Sequence, residues 1–150
     1  MIPEGFSLDR GRTTDRALLL KFLHRSYREA YPETGFEHLQ NTLRSYFTAE
    51  TPLWWVRNEH YSPIGCLWLG NSVDQITGDR HSHIFLVYVS PEYRRQGIGS
   101  ALMQTAEDYA RERGDRQITL QVFTTNETAQ ALYAKREFQP HSLLMSKPLT

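Results

Sequence analysis

Residues 89–103, VSPEYRRQGIGSALM, constrain the chain more than any other stretch. They follow HSHIFLVYV (81–89), whose β-branched and aromatic residues read as a largely buried central strand that Pro91 ends. They lead into a helical stripe of Ile98, Leu102, Ala106, Tyr109 and Ala110 that closes at Gly114. ITLQVF (118–123) reads as the next strand, so strand, glycine turn, helix and strand make a right-handed crossover. At the least, Gly97 and Gly99 permit a tight connection. A P-loop needs a lysine after its second glycine, where Ser100 stands, and a dinucleotide fingerprint needs a third glycine, where Leu102 stands. What remains is a run of backbone N–H groups from Gln96 through Gly97, Ile98 and Gly99 to Ser100 at the positive end of a helix. Side-chain-free glycines let a pyrophosphate lie directly on such amides, and Arg94 and Arg95 can add charge from the rim.

The charge balance requires a local trap of that kind. Lys plus Arg and Asp plus Glu both number 17, which leaves no net field to steer the molecule toward nucleic acid or an anionic membrane. A chain of 150 residues buries enough surface for one domain, residues 1–150, and no repeat or linker divides it. Cys66 is the sole cysteine, which excludes an internal disulfide and a cysteine zinc cluster; in IGCLWLG it reads as a buried, inert thiol. MIPEGFSLDR lacks the basic start and apolar core of a signal peptide, and no apolar run reaches membrane-spanning length. A cytoplasmic protein without metal, nucleic-acid or membrane partner is expected.

FSLDR (6–10) reads as a first strand. From Thr14, Leu19, Phe22, Leu23, Tyr27 and Ala30 form a helical stripe that Pro32 stops, and Phe36, Leu39, Leu43, Tyr46 and Phe47 repeat the spacing. PLWWVRN (52–58) and IGCLWLGNSV (64–73) read as a hairpin. Beyond residue 123, Asn126 or Thr124 can cap a helix with Ala129, Leu132 and Tyr133 on its inner face, before EFQP (137–140) and a final strand, SLLMSKPL (142–149).

With these elements in place, RRQGIG resembles the Arg/Gln-x-x-Gly-x-Gly/Ala signature of the GNAT superfamily of N-acetyltransferases. The resemblance extends over most of the chain: IGCLWL is similar to the family's third strand, FLVYVSPEYRRQGIGSALM to its acetyl-CoA segment, TTNETAQALYAKREF to its second cofactor motif and LLMSKPL to its closing strand. It implies an α/β fold with a mixed, mostly antiparallel sheet of six to seven strands, about four flanking helices and a splayed strand pair at the cofactor site.

The resemblance further implies acetyl-CoA as co-substrate, its pyrophosphate on the amides of residues 94–100 and its pantetheine arm paired with the backbone of Val87, Tyr88 and Val89, where a bulge frees the strand edge. Asn126 would steady the helix start and the cofactor arm, and the Tyr133 hydroxyl would protonate the leaving thiolate; the plainer alternatives are an N-cap and a core aromatic. The family's usual Gly-Phe after this helix is Glu137-Phe138 here, which puts the geometry of the helix end in question. In the histone and arylalkylamine branches a catalytic Glu or His stands four residues before the cofactor-binding strand end, which places a general base at His83, with His81 as a relay. Strand alternation would keep residues 83, 85 and 87 on one face. The acceptor is a primary amine on a small molecule or peptide, and Tyr27, Glu29, Tyr31, Glu33, Phe36, Glu37, Trp54 and Trp55 mix acids and aromatic faces suited to it. Core packing and a solvated face are the competing reading of that set. The family often forms homodimers, and a catalytically silent CoA-binding module of the same fold is the alternative function.

Overall fold

Leu19, Phe22 and Leu23 lie on one side of helix α1 (Arg16–Ala30) and are at most 3% exposed, as their i, i+3, i+4 spacing requires. Leu39 and Leu43 do the same for α2 (His38–Tyr46), which ends at Phe47. The two helices cover one face of the sheet, where these side chains meet Trp55, Cys66, Trp68, Leu86 and Tyr88. Each buried side chain of this size contributes roughly 1.5–3 kcal/mol. A short 3-10 turn, Thr13–Asp15, leads into α1, and its Asp15 carboxylate accepts the Trp55 indole N–H at 3.0 Å, which ties the helix start to the sheet.

The computed structural model describes residues 1–150, which divide into two compact units, residues 1–120 and 121–150. The first holds a five-stranded sheet in the order β1 (Ser7–Arg10), β2 (Leu53–Arg57), β3 (Pro63–Val73), β4 (Arg80–Val89), β5 (Ile118–Leu120). The first three pairings are antiparallel, and the pairing of β4 with β5 is parallel. Helix α3 (Ile98–Arg113) makes the crossover between them, with Ile98, Leu102, Ala106 and Ala110 buried. Tyr109 of α3 meets Trp54 edge to face at 5.5 Å, and since Trp54 and Trp55 point to opposite faces, α3 lies opposite α1 and α2. Asp115, just past α3, accepts from the Ser82 amide and hydroxyl at 2.8 and 2.6 Å and from Arg113 at 2.9 Å, which pins the end of the crossover to β4.

The strand count corrects the sequence reading. ITLQVF pairs only over its first three residues, and neither 137–140 nor 142–149 forms a strand, so the sheet has five strands instead of six to seven. Leu143, Leu144 and Met145 are consecutive and at least 80% exposed, so they lack the period-two burial of a strand with one covered face, and Pro148 withholds a backbone donor.

The second unit contains α4 (Glu127–Lys135). Its end resolves the question raised by Glu137. Glu137 takes φ +69°, its amide donates to Ala134 O and the Phe138 amide donates to Tyr133 O, both at 3.0 Å, and the Phe138 and Tyr133 rings meet at 5.9 Å. This is a complete Schellman ending with glutamate where glycine is preferred. Glu137→Gly is therefore expected to stabilise the protein by about 1 kcal/mol, read as a raised denaturation midpoint at unchanged slope. A lowered midpoint would show that the Glu137 side chain contributes more than its backbone strain removes.

Candidate active site

The turn between β4 and α3 begins with a second 3-10 segment, Pro91–Tyr93. It then passes through two left-handed residues, Arg95 (φ +65°) and Gly97 (φ +90°), and Gly97 is the residue before the first helical turn. No side chain caps that helix start; the first bond back is Ala101 N–H to Gly97 O at 3.1 Å, which leaves the amides of Ile98, Gly99 and Ser100 pointing out of the helix. A Cβ built on Gly99 meets nothing within 4 Å. The open space over these amides fits a diphosphate.

Arg94 is placed differently from the sequence expectation. Its Nε–H donates to Val89 O at 2.7 Å and its NH2 group to Glu29 Oε2 at 2.7 Å, over the Tyr88 ring, and the Tyr88 hydroxyl also donates to Glu29. The Tyr88 hydroxyl is pushed up to about 12 by burial and by the Glu29 carboxylate. In the sequence Glu29 stood out only as one of a set of acids and aromatics suited to an acceptor amine, with nothing to pair it with Arg94. It helps line an open cavity of about 710 Å³ between α1, the β2–β3 turn and the end of β4, together with Arg25, Asn58, Tyr88 and Tyr93. Arg95 and Gln96 are exposed at the turn, and Arg95 makes no ion pair.

β4 supplies the second feature. Its parallel partner β5 pairs only with Ser82, His83 and Ile84, so the two strands part after Ile84 and the β5-side edge of residues 85–89 is left open. The other edge stays paired to β3 through Val89. The Ser90 amide donates to Ile64 O, so by alternation the backbone groups of Val87 and Val89 point to the open edge, where Val89 O meets Arg94.

A bulge lies just before the open edge. Leu69 faces Ile84 and Trp68 faces Leu86, which leaves Phe85 unpaired. Its ring packs on Trp68 at 4.7 Å and lies over Gly70, where a Cβ would stand 1.8 Å from the ring. The extra residue breaks the alternation expected for residues 83, 85 and 87. His83 and Phe85 share the α1/α2 face with Leu86 and Tyr88, while Val87 and Val89 turn to the α3 face.

His83 thus sits in the crotch of the fork. Its Nδ1 is 2.7 Å from Thr119 Oγ1, which is also 3.0 Å from Nε2 of buried His81. Burial first, and neighbouring His81 second, lower the His83 pKa, which favours the neutral ring. Gln117 continues the chain from His81 Nδ1 (3.5 Å) to Asp74 Oδ2 (2.8 Å). Thr119, Gln117 and Asp74 escaped the sequence reading, because they meet only through the pairing of β5 with β4.

In the second unit Asn126 caps α4, its side chain accepting the Ala129 amide at 3.2 Å. The partly buried Tyr133 packs on Phe138, and burial raises its pKa. Of the acceptor-side candidates, Trp54 and Trp55 are core residues, 7% and 0% exposed. Cys66 is fully buried, and that burial pushes its thiol up, out of the reactive range. No group of three or more His, Cys, Asp or Glu side chains is placed to hold a metal ion, and no helix is long and apolar enough to cross a membrane.

A strand that forks from its parallel neighbour and runs into a glycine turn at a helix start defines an acetyltransferase fold of one kind. The model of the acetyltransferase (GNAT) family matches residues 19–138, and the chain belongs to that family. It is 27% identical over 101 residues to human N-acetyltransferase 8, covering 67% of this chain and 44% of that protein. It is 30% identical over 96 residues to YdgE, an uncharacterized N-acetyltransferase of Bacillus subtilis, covering 64% of this chain and 60% of that one. Among solved structures, the GCN5-related N-acetyltransferase from Ralstonia eutropha superposes with a TM-score of 0.74 at 24% identity, over 97% of this chain and 99% of that one, and so shares the fold.

Proposed function

We propose that the chain is an acetyl-CoA-dependent N-acetyltransferase that transfers acetyl to a primary amine of a small molecule or peptide. One observation carries this reading: the open edge of β4 runs from the fork at Ile84 directly into a turn whose Ile98, Gly99 and Ser100 amides are unpartnered. An extended, amide-containing arm that ends in a diphosphate matches that edge and turn in order. Acetyl-CoA, when bound, supplies the acyl thioester and a thiolate leaving group.

The chain's own residues then have separate tasks. The backbone of Val87 and Val89 pairs with the arm as an added strand, while that of Tyr88 stays bonded to β3. The amides of the turn hold the diphosphate; Arg95, free of ion pairs, adds charge there, and Arg94 instead anchors the turn to Glu29 of α1. Asn126 fixes the start of α4, and Tyr133 keeps its proton through the neutral range and presents it to the departing thiolate. The ammonium proton of the acceptor passes to water.

Incubation with acetyl-CoA and a panel of amines and peptide N-termini, with detection of free thiol, tests the assignment. Thiol release that depends on an amine is the expected outcome. Thermal stabilisation by acetyl-CoA without release for any acceptor would instead identify a silent CoA-binding module.

A further inference from the structure

The geometry points to a role for His83 that strand spacing did not suggest: it is a neutral hydrogen-bond donor, its proton fixed on Nε2 by a relay of side chains, and it donates to the acyl oxygen during transfer. This rests on the acetyltransferase reading above.

The assignment follows bond by bond from the far end of the chain. Asp74 Oδ2 can only accept, so the group 2.8 Å from it on Gln117 is the amide nitrogen, Nε2. The second proton of that nitrogen is directed at His81 Nδ1, 3.5 Å away, which must therefore carry a lone pair. With its lone pair on Nδ1, His81 then holds its proton on Nε2 and donates to Thr119 Oγ1 at 3.0 Å. The Thr119 hydroxyl has one proton to give, and with His81 Nε2 already a donor, His83 Nδ1 at 2.7 Å is the acceptor left for it. His83 Nδ1 is thus an acceptor, and in the neutral ring the proton sits on Nε2, the nitrogen with no partner in the chain.

A general base needs a lone pair that it can offer. The single lone pair of this tautomer is on Nδ1 and is already engaged by Thr119. A second proton there would make the Thr119 oxygen accept from both histidines and leave its own hydrogen without an acceptor among its contacts. The charged or titratable groups around the ring are His81 on the same strand and Asp74 beyond Gln117, with Tyr46 of α2 reached through Phe85. The direction of the His83 pKa agrees, since burial, its largest cause, opposes a positive ring. As the amine nitrogen bonds to the acyl carbon, the carbonyl π pair moves onto oxygen, where the Nε2–H can meet it; no proton changes hands, and the pair returns when the C–S bond breaks.

The first test needs no turnover. Long-range ¹H–¹⁵N correlation spectra of the ¹⁵N-histidine-labelled protein at pH 7 should show His83 as the neutral Nε2–H tautomer, and Thr119→Val should release it into a mixture. An Nδ1–H tautomer or an imidazolium at His83 overturns the proposal. The second test uses rates. His83→Ala is expected to lower kcat by roughly 10²-fold, as loss of one oxyanion donor does, and His83→Gln, whose amide nitrogen falls near Nε2 and donates but takes no proton, should recover at least tenfold of it. A glutamine variant as slow as alanine, with an acidic limb present only in the wild type, makes His83 a base and overturns the donor role alone. Absence of turnover with every amine overturns this proposal and the acetyltransferase reading together.

Discussion

Gly99→Asp is expected to fold as well as the parent chain and to lose the binding of acetyl-CoA. The two halves of this outcome come from different facts. A Cβ at Gly99 meets nothing within 4 Å, its φ is not in the left-handed region, and an aspartate in the first turn of a helix is favoured by the dipole by about 0.3–1 kcal/mol. The same carboxylate stands over the Ile98, Gly99 and Ser100 amides and repels a diphosphate, where juxtaposed like charges cost several kcal/mol, or at least about 100-fold in affinity. The measurement is a pair of melting curves. The unliganded variant should melt at or slightly above the parent temperature, and the acetyl-CoA-induced rise of the parent should vanish. A rise preserved in the variant would place the phosphates elsewhere. Gly97→Asp is the weaker experiment, because φ +90° strains any side chain there and mixes misfolding with lost binding.

Tyr133→Phe is expected to lower kcat by roughly 10²-fold while the KM for acetyl-CoA stays within about twofold. Burial raises the Tyr133 pKa above its ordinary value of about 10, so the phenol is protonated at every working pH, and its ionisation adds no basic limb below that value. The ring contact with Phe138, which completes the end of α4, survives the substitution, so the helix should not loosen. Parental turnover in the variant would reduce Tyr133 to the packing residue that its ring contact already makes it.

Periodicity made α1, α2 and α3 legible, because each buries a regular stripe against a single face, whereas the β2–β3 hairpin, buried on both faces, was legible from its short apolar runs around a turn. The turn was legible for a different reason: two glycines before an apolar helix leave few other uses for that backbone. Asn126 was readable at the level of its cap, which the Ala129 bond supplies. Three things were not legible. The tail 142–149 was read as a strand from its likeness to the family's closing strand, yet it has neither β-branched or aromatic residues nor strand periodicity. Arg94 was aimed at the phosphates on proximity in sequence, whereas Glu29, 65 residues earlier, captures it. Thr119 and Gln117 gain meaning only once a parallel pairing lays β5 beside His81 and His83.

Phe85 puts the two halves of β4 one residue out of phase. Were Phe85 paired in a regular ladder instead of bulged, a strand whose even members Leu86 and Tyr88 face α1 and α2 would turn its odd members, His81 and His83, to the α3 side, behind the sheet. The offset lets odd residues before the fork and even residues after it share one side of the sheet. A deletion of Phe85 would leave Ile84 and Leu86 opposite Leu69 and Trp68 in an unbroken ladder, with His83 and Leu86 two residues apart and still on one side of the sheet; what it would remove is the bend of the bulge and the ring that packs on Trp68 over Gly70.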